Sequence, residues 1–103
     1  MPNKTDTKIK IKPNLALAEP PLYKIIYIND DVTSMNFVVN SLITHFDYNL
    51  DTAAVITSGI HEEGSATVAV LPFEIAEQKG IEVTVHARSN NYPLQVKLEP
   101  DTI

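Results

Sequence analysis

Asn29-Asp30-Asp31 places one amide oxygen and two carboxylates on consecutive residues, and His61 adds an imidazole later in the chain. Oxygen acceptors gathered in this way can hold a cation, either a metal ion or a protonated amine. The plainer reading is a turn, because Asn and Asp bond their own backbone and negative charge suits the start of a following helix. His61 alone reads as a partly buried polar residue, although it shares a helical face with Thr57 and adjoins Ile60. Glu62-Glu63-Gly64 behind it is, on that reading, a solvated helix end. His45 or His86 could enlarge a metal-hydrolase set built on Asp30, Asp31 and His61. The sequence lacks a His-Glu-x-x-His pair and a Gly-rich phosphate loop, which such chemistry would need. The apolar residues Ile28, Met35, Val38, Ile60 and Leu94 suit a core or a pocket equally well, and periodicity does not separate the two.

The elements that must position these groups follow from patterning. Tyr23 to Ile28 is rich in β-branched and aromatic residues and stops at the Asn-Asp-Asp cluster, as a strand entering a turn should. Thr33 or Ser34 can cap a helix that carries Met35, Val38, Val39, Leu42 and Phe46 on one face. Asn49 can cap a second helix, with Leu50, Ala53, Ala54, Thr57, Ile60 and His61 on one side. Gly59 weakens that helix by about 1 kcal/mol relative to Ala. Gly64 ends it. Ser65 to Leu71 reads as a second strand and Pro72 as the first residue of a third helix through Ile75, Ala76, Lys79 and Val83. Gly80 and the run Val83-Thr84-Val85 argue against the later half of that helix. Leu94 to Leu98 alternates apolar and polar, as a half-buried strand does. The resulting β-α-α-β-α-β order implies an α+β fold with three strands covered on one face by three helices.

The 103 residues suit one domain, read over 22–103, behind a flexible extension over 1–21 that is rich in Lys and Pro. With no cysteine, disulfides, thiolate zinc sites and a cysteine nucleophile are excluded. A net charge of −5 gives no general attraction for nucleic acid. No apolar run approaches a membrane span and no signal-peptide core is present, so a soluble cytoplasmic protein is expected. Nothing in the sequence asks for more than a monomer.

Taken together, the blocks resemble one known family. Tyr23-Lys24-Ile25-Ile26-Tyr27-Ile28-Asn29-Asp30-Asp31, with Thr33, Met35, Phe37 and Val38, looks like the opening of the ClpS family. His61 with Gly64, Glu74-Ile75-Ala76-Glu77 with Lys79, and Asn90 with Pro93-Leu94 continue the likeness in order, over essentially Leu22 to Glu99. ClpS proteins are adaptors of the bacterial N-degron pathway. The resemblance implies a three-stranded antiparallel sheet packed against three helices, similar to the C-terminal domain of the ribosomal stalk protein, with no metal, cofactor or catalysis. It implies that Asn29, Asp30 and His61, with Asp31 at the motif's third position, hold a substrate's α-amino group. Ile28, Thr33, Met35, Val38, Thr57, Ile60 and Leu94 would line a pocket for a first residue such as Leu, Phe, Tyr or Trp. Glu74 and Lys79 match positions that touch the N-terminal domain of the AAA+ unfoldase ClpA. This sequence departs from the family at Thr57, where Met is typical and where either pocket volume or polarity would change. It departs also at Ser34 in place of Pro, at Gly59, and at Tyr92, where the motif often has His. A stalk-like docking domain without N-degron binding is the main alternative.

Overall fold

The computed structural model describes residues 20–102, so the extension read over 1–21 lies outside it apart from its last two residues. The elements are β1 (Leu22–Ile28), α1 (Met35–Phe46), α2 (Leu50–Glu63), β2 (Ser65–Pro72), α3 (Phe73–Ser89) and β3 (Gln95–Pro100). Their order is the one the patterning implies. All pairings are antiparallel and β1 is the central strand, flanked by β2 and β3.

Alternation along β1 sends Ile25 and Tyr27 toward the helices, where both are fully buried. Leu98 and Val96 of β3 stand opposite these two residues and widen the apolar layer. Lys24, Ile26 and Ile28 take the other face, where Lys97 and Glu99 pair at 2.9 Å. In β2 one residue, Val68, is inserted between the partners of Ile25 and Ile26. Its carbonyl accepts the hydroxyl of Tyr48, so the bulge leaves that acceptor satisfied. Tyr27 brings a hydroxyl into the core, where burial pushes its pKa well up and keeps it protonated. It meets Ser41 Oγ at 2.9 Å, and Ser41 donates onward to the Val38 carbonyl at 2.8 Å. Each buried hydroxyl thus has a partner, which avoids the cost of an unpaired group.

Several boundaries differ from the sequence expectation for local reasons. Ser34, not Thr33, caps α1 by accepting the Phe37 N–H at 3.1 Å. A serine there supplies a side-chain acceptor, which a proline would lack. Pro72 closes β2 in extended geometry (ψ 148°), and α3 begins one residue later at Phe73. The later half of α3 is continuous to Ser89 despite Gly80 and the Val-Thr-Val run. Packing against β3 outweighs propensity there: a Cβ at Gly80 would meet Leu98 and Val96 at 3.8 Å. On α2, Ala53, Thr57 and Ile60 are buried, whereas Leu50, Ala54 and His61 are exposed. The buried stripe is therefore narrower than the expected face. Phe37, absent from the expected face of α1, is buried because α3 covers that flank, with His86 and Tyr92 rings 4.8 and 5.0 Å away.

α2 starts with the Asn49 side chain accepting the Thr52 N–H at 2.8 Å. It ends at Gly64, whose φ of 92° lets its N–H reach the Ile60 carbonyl at 2.9 Å. Gly59 sits within the helix facing open space, and a Cβ there would meet nothing within 4 Å. Substituting alanine at the two glycines should therefore have opposite effects. Gly59→Ala should stabilise by about 0.5–1 kcal/mol. Gly64→Ala should cost about 1–2 kcal/mol through left-handed strain. Urea unfolding midpoints check this, and shifts of the same sign would refute it.

Where α1 ends against α3, His45 Nε2 lies 3.0 Å from His86 Nδ1, and His45 Nδ1 lies 3.7 Å from Glu82. Burial lowers the His45 pKa, the His86 charge lowers it further, and Glu82 opposes both. A folded pKa below the unfolded one gives a contribution that is complete above about pH 6.5 and lost as pH falls through the folded value. Melting temperatures of the parent should thus fall between pH 7 and pH 5 more steeply than those of His45→Gln. Parallel curves would show that His45 carries none of the slope.

Candidate functional site

Strand register gathers the site. Ile28, the last residue of β1, pairs with Ser65 at the start of β2 and Gln95 at the start of β3. Asn29, Gly64 and Leu94 therefore lie side by side at one end of the sheet, each one residue outside its strand. The Asn29 N–H donates to the Gly64 carbonyl at 2.9 Å, which ties the Asn-Asp-Asp turn to the end of α2 that carries His61. The left-handed turn at Gly64 is what ends α2 at that point. Two sequence segments that could hold an amine are thus joined by backbone.

Within the turn, Asp30 is engaged internally. Its Oδ1 accepts the N–H groups of Val32 (2.8 Å) and Thr33 (2.7 Å), and its Oδ2 accepts the Thr33 hydroxyl (2.8 Å). A carboxylate offers about four acceptor positions, so roughly one remains for a ligand. Desolvation pushes the Asp30 pKa up, but the Thr33 and Val32 bonds and the Arg88 charge outweigh it and hold the carboxyl below its usual range. Asp30 is therefore ionised at neutral pH. Asn29, Asp31 and His61 are exposed, and their side chains make no hydrogen bond among the described residues. An amide oxygen, two carboxylates and an imidazole are each chemically able to accept from a cationic donor such as an ammonium group.

The expected pocket residues divide by depth. Val38, Thr57, Ile60 and Leu94 are buried, at 6%, 3%, 3% and 1% exposure, and Val38, Ile60 and Leu94 belong to the main core cluster. Thr33 is half-buried, and Met35 at the first residue of α1 is 46% exposed, an accessible apolar rim. Ile28 alternates onto the face of the sheet opposite Tyr27 and is half-buried. The Thr57 hydroxyl donates to the Ala53 carbonyl at 2.8 Å, so its one donor is already used within the helix.

Glu74 and Lys79 lie elsewhere, on the first turns of α3. Glu74 is exposed beside a groove of about 570 Å³ lined by Pro20, Pro21, Tyr23, Phe73 and Ile75, at the opposite end of β1 from Asn29. Lys79 is half-buried and 3.8 Å from Glu82, in a hollow that Ile75 and His45 share. This groove is thus remote from the acceptor cluster. Among the described residues no group of three or more His, Asp and Glu is placed to hold a metal ion, so Asp30, Asp31 and His61 do not converge as a ligand set with His45 or His86. No helix of the described residues is long and apolar enough to cross a membrane. Arg88 carries no signal in the sequence, since a cation in a helix's last turn ordinarily marks only a favourable dipole interaction.

The domain is a small α+β fold that carries acceptor side chains at one end of its sheet and buries Val38, Thr57, Ile60 and Leu94. Known relatives make the class specific. The family profile for "ATP-dependent Clp protease adaptor protein ClpS" matches residues 18–97. The ATP-dependent Clp protease adapter protein ClpS of Wolinella succinogenes is 35% identical over 95 residues, spanning 92% of this chain and 93% of that one. The protein of the same description from Sodalis glossinidius is 38% identical over 84 residues, 82% of this chain and 79% of the relative. The solved structure of Agrobacterium tumefaciens ClpS2 bound to L-phenylalaninamide matches with a TM-score of 0.78 at 36% identity, covering 81% of this chain and all of that one. The chain belongs to the ClpS family of Clp protease adaptors.

The bracing role of Asp30 has a measurable signature. Asp30→Asn should lower stability at neutral pH by about 1–2 kcal/mol through weakened turn bonds. Because the folded pKa is depressed, that deficit should shrink as pH falls through it. Equal deficits at pH 7 and pH 3 by urea titration would mean that the carboxylate charge does not brace the turn.

Proposed function

We propose that this chain binds the free N-terminal residue of substrate proteins, when that residue is Leu, Phe, Tyr or Trp, and delivers them to a ClpA-type AAA+ unfoldase. The observation that carries the reading is the match to the whole of a ClpS2 chain bound to L-phenylalaninamide. That ligand has a free amine and a blocked carboxyl, as the first residue of a peptide does. Asn29, Asp30, Asp31 and His61 receive the ammonium group, and Thr33, Met35, Val38, Thr57, Ile60 and Leu94 enclose the side chain; Ile28, expected among them, stands on the other face of the sheet and takes no part. Glu74 and Lys79 face the unfoldase, an assignment supported by their position beside apolar hollows remote from the acceptor cluster. The role is binding and hand-over, with no bond made or broken.

The chemistry explains the selectivity. An α-amino group has a pKa of about 7.7–8.0 and is mostly a cation with three donors at neutral pH. An acetylated terminus has lost the charge and most of the donors, and leaves acceptors unpaired at about 1–3 kcal/mol each. Burying the first side chain adds about 1.5–3 kcal/mol. Two or three charge-assisted hydrogen bonds at about 1.5–3 kcal/mol each bring the gross to about 10 kcal/mol. An association cost of at least about 4 kcal/mol leaves about 6 kcal/mol, in the range of tens of micromolar or weaker, which suits an adaptor that must release its cargo. Thr57 replaces the family's typical methionine with a shorter side chain whose hydroxyl already bonds the Ala53 carbonyl. The consequence is a roomier pocket rather than a more polar one.

Fluorescence anisotropy of labelled peptides differing only in their first residue tests the reading. Peptides starting with Phe or Leu should bind, an acetylated Phe peptide should not, and Asp30→Ala should abolish binding while the domain stays folded. Absence of binding to every peptide would favour a docking domain without an N-degron site. On the same assay Thr57→Met should narrow the set of accepted first residues, and Thr57→Val should leave the ranking unchanged. A parent-like ranking for Thr57→Met would show that pocket volume is set elsewhere.

A further inference from the structure

Leu94 reaches its place through an irregular turn. α3 ends in a double closure: the Tyr92 N–H bonds the Ala87 carbonyl at 2.9 Å and the Asn91 N–H bonds the Arg88 carbonyl at 3.0 Å. Asn91 is left-handed at φ 63°, a conformation that asparagine tolerates. Beyond Tyr92 comes Pro93, which has no amide proton, then Leu94, and only at Gln95 does the β3 ladder begin. The gap is spanned from the helix. Arg88 Nη1 donates to the carbonyls of both Tyr92 and Leu94, each at 2.9 Å.

These acceptors lie beyond the helix, so the bonds do more than complement α3's own last carbonyls. The guanidinium holds the two residues that bracket Pro93 and so sets where Leu94 enters the apolar floor, where it is 1% exposed. The same side chain lines a groove with Ile28, the residue before Asn29. Its charge also contributes to the low pKa of Asp30, which puts it within electrostatic range of the acceptor turn.

We propose that Arg88 is a positioning residue of the recognition site, fixing the Leu94 wall of the first-residue pocket by clamping the Tyr92 and Leu94 carbonyls. The proposal rests on the N-terminal-residue reading of that site. Its specific consequence is that loosening the clamp blurs side-chain discrimination. Recognition of the free amine by Asn29, Asp30, Asp31 and His61 is left in place.

The test compares the full chain with Arg88→Met, which keeps the aliphatic stem and removes the donors, and Arg88→Lys, which keeps the charge without the planar fork. Anisotropy is measured with peptides starting with Phe, Leu and Ala and with acetylated Phe, alongside thermal melts. In Arg88→Met the Phe-to-Ala affinity ratio should fall by about three- to tenfold, the scale expected of a slackened apolar wall. The preference for free over acetylated Phe should persist, and Arg88→Lys should recover part of the lost ratio. A purely structural arginine would lower the melting temperature and weaken all free peptides alike. An unchanged Phe-to-Ala ratio in Arg88→Met therefore overturns the proposal. If that variant does not fold, an unchanged ratio in Arg88→Lys does so. A parent that binds no peptide overturns the underlying reading as well, and is seen before any variant is made.

Discussion

One backbone hydrogen bond, from the Asn29 amide to the Gly64 carbonyl, sets the relation between the two halves of the site. It forms because β1 ends where β2 begins, and because Gly64 turns left-handed and directs its carbonyl away from the helix it terminates. Any other residue at φ 92° would carry strain, and a helix that continued past Glu63 would remove that acceptor from the end of β1. The mutual placement of the Asn-Asp-Asp turn and His61 is therefore a matter of main-chain geometry, settled before side-chain rotamers enter.

The acceptor turn then solves an electrostatic problem. Two adjacent carboxylates repel each other, and partial desolvation favours protonation. Here the central carboxylate spends most of its capacity on Val32 and Thr33, which lowers its pKa and stiffens the turn together. The exposed neighbours Asn29 and Asp31 keep their capacity for a partner. On the proposed reading, a braced acceptor flanked by uncommitted ones would need little reorganisation to take a ligand.

Much of this fold was legible in the sequence, and the exceptions share a cause. Alternation in Tyr23–Ile28 and in Leu94–Leu98 marks strands because one face of each meets the helices, although the last strand runs over Gln95–Pro100, and Asn49 and Gly64 mark helix ends through local chemistry. The errors come where tertiary packing decides. Phe37 is buried only because α3 crosses α1, and α3 stays helical through Gly80 only because β3 lies against it. The bulge at Val68 has no sequence signature. Asn29-Asp30-Asp31 is indistinguishable from an ordinary turn by composition, and only the family resemblance gave it a role. Arg88 was invisible for a related reason, as its acceptors are carbonyls, which carry no side-chain identity to read.

The central strand is the first element of the domain, and its two neighbours start at Ser65 and Gln95. During synthesis β1 therefore emerges with neither edge satisfied, and its outer partner arrives last. Closing such distant pairings costs loop entropy before any contact repays it. Asn29, Gly64 and Leu94 come from the margins of these three strands. The local bonds of Asp30 to Val32 and Thr33 can form early, but the juxtaposition of Asn29, Gly64 and Leu94 requires all three strands.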